Sequence, residues 1–314
     1  MRPVFVDCDT GIDDALALWY LASRPDLEIV GVGTVHGNID PVRAARNSLV
    51  VLEAAGRSDT PVACGAHRPL AQDVHLATFV HGEDGLGNTH LDPPAGRPVR
   101  TSAAELLVET ARRYAGRLEM LAIGPLTNLA LAVLLEPELP RLLRRVVVMG
   151  GALRHPGNVS PLAEANIWHD PEAAALVLSA GLPATLVTLD VTTQVLLEGE
   201  RLARLEAASG PLARLASSVL SFYLDFYARD LGRRACVLHD PLAAVLLAEP
   251  ALAEVEAAVV AVELARGLAR GATIVDRRAH PDGTISAPPI DVVTRVEPDV
   301  IADAVLGALL GADR

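Results

Sequence analysis

The order of apolar and polar positions divides the chain into short β-rich runs alternating with helical patterns. "PVFV" leads into a helix that starts near Asp13. "LEIVGVGTV" leads into "DPVRAARNSLVVLEAAG", and "PVACG" follows. "SAAELLVETARRYAG" precedes "LEMLAIG", "TNLALAVLLE" precedes "RRVVVMGG", and "DPEAAALVLSAG" precedes "ATLVTLD". The strand runs are apolar at successive positions instead of alternating, which is the pattern of strands covered on both faces. The rhythm predicts an α/β fold: an open, mostly parallel, Rossmann-like sheet flanked by helices on both faces, in a single domain over 1–314. Asp40-Pro41 and Asp170-Pro171 read as helix caps followed by proline at the first helical position. Gly56, Gly116 and Gly181 stand where helices should stop.

Past residue 200 the pattern predicts one long helical region to about Leu231, then a helix over "HDPLAAVLLAEP". "AAVVAVELA", "ATIVDRR" and "DVVTRVE" read as late strands, antiparallel in sense, and "PDVIADAVLGALLGA" as a closing helix. Two stretches, "AHRPLAQDVHLATFVHGEDGLGNTHLDPPAGRP" and "RHPGNVSPLAEANIWH", read as long polar loops. Loops of that length in a compact domain tend to carry function.

Composition narrows the chemistry. Of the 314 residues 51% are hydrophobic and only 3% aromatic, so the core is built from Ala, Leu and Val. The net charge of −12 argues against a nucleic-acid partner, which needs clustered cations to displace counterions. All 27 basic residues are Arg, and Lys is absent. Cys8, Cys64 and Cys236 are too few and too scattered for a disulfide framework or a thiolate metal cluster, so a cytoplasmic setting is expected. A strand-like start without a leader, and the lack of an apolar stretch long enough to cross a bilayer, predict no membrane partner.

"VFVDCDTGIDDALALWYLA", residues 4–22, crowds Asp7, Asp9, Asp13 and Asp14 where the first strand meets the first helix. One acid near a helix N-terminus is stabilising by about 0.3–1 kcal/mol. Capping therefore accounts for one aspartate or two. Four repel one another in the crevice at the carboxyl ends of the strands, and a hard divalent cation resolves that repulsion.

That segment resembles the N-terminal signature of the inosine-uridine-type nucleoside hydrolases. The resemblance continues in order through "GTVHGN", "AIGPLTNLA", "VVVMGGA", "GNVSPLAEANIWHDPEAA" and "LHDPLA", from residue 4 to about 245. It implies hydrolysis of the N-glycosidic bond of small-molecule ribonucleosides to ribose and free base, with Ca²⁺ at the bottom of the cleft. The implied ligands are Asp9, Asp14, Asp240 and the main-chain carbonyl of Ile123, with Thr127 a second source for that carbonyl. Asp9 is also the implied general base on a Ca²⁺-bound water that attacks C1′. Asp13, Asn38 and Asn166 are the implied partners of ribose hydroxyls, and Asn158 and Glu164 those of the 5′-hydroxyl. Asp7 supports the ligands from behind. His239 is the implied proton donor to the leaving base. His81 and Tyr227 are base-side candidates, with Arg233 and Arg234 as the competing ones, and Trp168 reads as packing. Tyr227 in place of the pyrimidine-restricted pattern implies broad base specificity. A homodimer or homotetramer is implied by analogy.

Thr10 replaces the proline common at that position, and its side chain is expected to keep the turn. Two other readings compete. A haloacid dehalogenase-like Mg²⁺ phosphohydrolase also begins with a strand ending in Asp-x-Asp-x-Thr, but its chemistry usually calls on a lysine that this chain lacks. A non-catalytic nucleoside- or ribose-binding protein would keep the metal, but the retention of both Asp9 and His239 argues for turnover.

Overall fold

The computed structural model describes residues 1–278, 283 and 286–311. Six parallel strands alternate with helices in its first two-thirds: β1 (Arg2–Cys8), β2 (Leu27–Thr34), β3 (Val62–Cys64), β4 (Leu118–Ala122), β5 (Leu143–Met149) and β6 (Ala184–Val187). Two short strands, β7 (Leu196–Glu198) and β8 (Ala235–Val237), pair with each other. β9 (Ala253–Ala258), β10 (Val260–Val262), β11 (Thr273–Val275) and β12 (Ile290–Val296) follow. The main sheet has eight strands in the order β3-β2-β1-β4-β5-β6-β12-β9, parallel except for the edge pair β12–β9. This is the mostly parallel α/β sheet that the apolar runs predict.

The helix Ile12–Ser23 explains why its sequence is apolar nearly all round. It packs against the helices Pro41–Ala54, His239–Ala248 and Pro298–Leu310, and every one of its residues is buried. Asp40 caps its helix by accepting from the backbone N–H groups of Val42 and Arg43, and Asp170 caps the next acid-Pro helix through Ala173 N. Gly56, Gly116 and Gly181 end their helices with φ between 70° and 72°, where a side chain would be strained.

The structure differs from the sequence pattern in several places. The helical region after residue 200 is two helices, Gly199–Ala207 and Pro211–Leu231, broken where Gly210-Pro211 starts the second. The run "AAVVAVELA" is divided between β9 and β10, which belong to different sheets. Both long loops contain a short helix, Thr78–His81 in the first and Ala165–His169 in the second. β7 and β8 carry no sequence signal long enough to call, since each has three residues. Among the described residues no helix is long and apolar enough to cross a membrane.

At the amino end of the central strands the buried carboxylate of Glu119 meets Arg145 at 2.7 Å and Arg2 at 3.3 Å. Both guanidiniums also donate to the last carbonyls of the helix His239–Ala248. The network locks β1, β4 and β5 to the helix that carries His239 and Asp240 at its other end. Glu119→Ala should therefore cost roughly 3 kcal/mol, because it strands two partly buried guanidiniums. The midpoint of chemical unfolding measures it, and a loss below about 1 kcal/mol would show that the helix carbonyls alone satisfy the arginines.

Candidate active site

The direction of strand order reverses between β1 and β4, which leave the sheet toward opposite sides, and ligands bind open α/β sheets at such a switch point. Asp9 follows β1 there, Ile123 follows β4, and Asn166 donates its amide to the carbonyls of Ile123 at 3.0 Å and Met149 at 3.2 Å. A cavity of about 340 Å³ is lined by Ile123, Met149 and Asn166, and by Asn38, the partner of Asp9. Ligand pockets start at roughly that size.

The four acids do not share one role. Asp14 is the cap of its own helix, accepting from Gly11 N at 2.8 Å and from Asp9 N at 3.2 Å. Asp9 accepts from Asn38 N at 2.6 Å and from the Asn38 amide at 3.1 Å, and the same amide reaches Asp14 at 3.0 Å. Gly37 makes this possible: at φ 153° a Cβ there would lie 2.1 Å from the Asp9 carboxylate. Asp13 points into the cavity, takes a hydrogen bond from Tyr223 Oη at 3.2 Å, and leaves Oδ1 buried with no partner. Asp7 lies elsewhere. Its carboxylate accepts from Asn128 at 2.8 Å and hydrogen-bonds none of the other acids among the described residues, which corrects its expected supporting place.

Carboxylate oxygens of Asp13, Asp14 and Asp240 lie within 4.8 Å of one another, a group able to hold a metal ion. Burial, followed by the charges of Asp13, Asp14 and Asp9, drives the Asp240 carboxyl well above the usual range. Burial and Asp14 do the same to Asp9, and they push Asp13 up to about 7; Asp14, also buried, rises to about 6. A cation reverses each of these effects. The unpartnered oxygen of Asp13 and the all-oxygen donor set fit a hard divalent ion. Of the expected ligands, Asp14 and Asp240 belong to this group, and Asp240 and Ile123 line the cavity. The Asp9 carboxylate accepts from Asn38 and is not one of these three, among which Asp13 stands.

The expected ribose partners all line the cavity, though much of their hydrogen-bonding capacity is already used. Glu164 caps the helix Ala165–His169, accepting from Asn166 N and Ile167 N, and also accepts from Gly151 N. Asn158 Oδ1 accepts from Ala165 N at 2.9 Å, leaving its amide NH₂ to the cavity. Asn166 spends its NH₂ on backbone carbonyls and keeps Oδ1.

His239 is buried at the first turn of its helix, with Nδ1 at 2.7 Å from Thr192 Oγ1 and Nε2 at 2.9 Å from Tyr227 Oη. Burial lowers it to about 4. His81 is buried at the end of the helix Thr78–His81, where the sequence places a loop. Its Nδ1 accepts from Ile12 N at 3.1 Å, which puts the ring proton on Nε2. Tyr227 does more than pack, since it holds His239. Arg233 and Arg234 are bound to Glu198 and Glu206 on the surface and do not line the cavity. Trp168, read as packing, lines the cavity with the His75 ring tilted against it at 5.0 Å. Phe226 and Phe79, in the two segments expected to form the base end, also line it, and sequence reasoning missed Tyr223, which lines it too. Tyr223 stands four residues before Tyr227, the helical spacing that could have found it. Thr10 keeps its turn as expected, through Ser48 Oγ at 2.7 Å.

The inosine-uridine preferring nucleoside hydrolase family matches residues 4–303. The chain is 39% identical over 276 residues to a probable uridine nucleosidase 2 of Arabidopsis thaliana, covering 87% of this chain and 85% of that one. It is 39% identical over 278 residues to a pyrimidine-specific ribonucleoside hydrolase RihA of Shewanella sp. (strain ANA-3), covering 88% and 87%. Among solved structures, a plant nucleoside hydrolase, PpNRh1, superposes with a TM-score of 0.94 at 32% identity over 98% of this chain and 99% of that one. A purine-preferring ribonucleoside hydrolase from Gardnerella vaginalis gives 0.92 at 27% identity, covering 99% of both.

The acid group sets a test of its own. Chelated protein titrated with a divalent cation should gain stability, about 2.7 kcal/mol at roughly a hundredfold excess over Kd. Asp240→Asn should raise the melting temperature of the chelated protein, because it removes one of the repelling carboxylates, and should cut the gain on adding the ion. Thermal melts of both proteins with and without the ion would show it, and an undiminished gain in the variant would place the ion elsewhere.

Proposed function

Because the chain belongs to the inosine-uridine preferring nucleoside hydrolase family and is a ribonucleoside hydrolase, we propose that its one domain, 1–314, cleaves the N-glycosidic bond with Asp9 as general base and His239 as proton donor. The observation that carries this assignment is the placing of the two groups. Asp9 is held by Asn38, which lines the cavity, and its charge reaches Asp240, while His239 lines the cavity bonded to Tyr227, the expected base-side residue.

Asp9 holds its proton-accepting oxygens through Asn38, whose donated hydrogen bonds favour the charged carboxylate. It takes the proton of the water that attacks C1′. The neighbouring acids favour the positive charge that develops on the sugar in an oxocarbenium-like transition state. Asp13 and the free Oδ1 of Asn166 accept from the ribose hydroxyls, and the Asn158 amide reaches the 5′-hydroxyl. Ca²⁺ is the ion this reading assigns to Asp9, Asp14, Asp240 and the Ile123 carbonyl, and when bound it would lower the pKa of a water and hold the ribose diol.

At the other end burial disfavours the charged form of His239. Negative charge gathering on a departing base favours the protonated ring, which takes its proton from solvent and passes it to the base, while Asp9 later returns to solvent the proton it took from the attacking water. The fixed Nε2–H of His81 donates to a base acceptor. Uridine falls within the substrate range by the names of the relatives, and the Tyr227 phenol keeps purines within it as well. A cytoplasmic homodimer or homotetramer belongs to the same reading.

Release of reducing sugar from uridine and inosine, assayed beside phosphate release from a phosphomonoester, tests the function. Sugar release from both nucleosides, with kcat/KM within about a hundredfold of each other, is expected, a span of about 2.7 kcal/mol. Asp9→Asn should fold and lose at least about 10²–10⁴ in kcat. A folded variant with near-normal turnover would move the base to another residue.

His239→Ala should slow inosine more than a nitrophenyl riboside, whose leaving group needs no proton. Equal losses on the two substrates would remove His239 as the acid.

A further inference from the structure

The wall of the cavity formed by Trp168, His169 and His75 is built from chain segments far apart in sequence. The polar stretch around Gln72 carries His75. The short helix Ala165–His169 carries Trp168 and His169. Neither is part of the sheet, and both turn toward a third segment, the connection between β10 and β11. Gln72 donates its amide to the carbonyls of Trp168 at 2.8 Å and His169 at 3.1 Å. Its own Oε1 accepts from Arg270 Nε at 2.9 Å. The Arg270 fork continues to both oxygens of Glu172 at 2.8 Å and to the Leu264 carbonyl at 2.6 Å. Only 17% of the Arg270 side chain is exposed. Beside it Gly271, at φ 80°, lies so close to Trp168 that a Cβ would stand 3.0 Å from the Trp168 Cα.

We infer that Gln72 and Arg270 are positioning residues for the nucleoside, strapping these three segments into the wall that carries Trp168, His169 and His75. The planar guanidinium suits the task, because it serves a side-chain amide, a carboxylate and a carbonyl in fixed directions at once. Neither residue lines the cavity, so neither acts on the reacting atoms. Their removal frees the backbone that holds Trp168 and His169, and small displacements of positioning groups are felt in substrate binding. This inference rests on the ribonucleoside hydrolase reading for its substrate, but not for its geometry.

Arg270→Met keeps the stem and removes the fork. Gln72→Glu keeps the acceptor for Arg270 and removes the donor to both carbonyls. Each should raise KM for uridine about tenfold while leaving kcat within about twofold, the signature of lost binding without lost chemistry. Arg270→Lys, with charge but no fork, should fall between wild type and Arg270→Met. Trp168 and the wholly buried Trp19 are the two tryptophans of the chain. Increased quenching of tryptophan fluorescence by acrylamide in the variants therefore reports Trp168. An unchanged KM with a lowered melting temperature would make the strap a purely structural device, and a fall in kcat at constant KM would assign it to the chemistry. Either result overturns the inference. Should Arg270→Met fail to fold, Gln72→Glu decides the matter, because its shape is conserved and its site is half-exposed. Wild-type protein that releases no ribose would refute the functional reading, while the quenching comparison still decides the strap.

Discussion

The repulsion among Asp9, Asp13, Asp14 and Asp240 governs the rest of this molecule. Four carboxylates, each buried, are gathered where ordinary packing would keep them apart. The fold tolerates them because other groups pin each one. Asp14 draws on the free N–H groups at the N-terminus of the first helix, the positive end of the helix dipole. Asp9 is fixed by Asn38 across a glycine that admits no side chain. Asp240 enters from the start of a second buried helix, whose far end is locked to the sheet through Arg2, Arg145 and Glu119. What these contacts do not supply is positive charge, and Asp13 keeps a buried oxygen without a partner. The site thus gathers an acidic group able to hold a metal ion.

The histidine side of the cavity is governed by neutrality instead. His81 and His239 are both buried and both held well below the usual histidine range, about 3 and about 4. Hydrogen bonds from Ile12 N, Thr192 and Tyr227 orient the two rings. Tyr223 bonds to Asp13 and packs edge-on against Tyr227 at 4.8 Å, so the acid end and the histidine end share one aromatic wall on the helix Pro211–Leu231. Displacing this helix therefore alters both ends together.

Much of the fold was legible because its signals are local. Non-alternating apolar runs marked the parallel strands, acid-Pro pairs marked two helix starts, and glycines marked helix ends. The break at Gly210-Pro211 and the division between β9 and β10 were not legible, because each depends on which sheet or helix a segment finds as a neighbour. The short helices Thr78–His81 and Ala165–His169 were hidden for the same reason. Single turns of helix have little propensity of their own and are held by caps such as Glu164 and by tertiary contact.

By itself the sequence determined the chemistry available: four acids at a strand end, a distant His-Asp pair, no lysine, and motifs in the order of one family. Those facts are covalent and survive any packing. The tertiary structure alone decided which oxygens face one another, because that depends on distances across the switch point between β1 and β4. It set Asp13 beside Asp14 and Asp240, turned Asp9 toward Asn38, and sent Asp7 to Asn128. It also took Arg233 and Arg234 out of the cavity and brought Trp168 into it. Hydrogen-bond geometry changes over tenths of an ångström and Coulomb energy over a few ångströms, and no spacing along a chain encodes separations that fine.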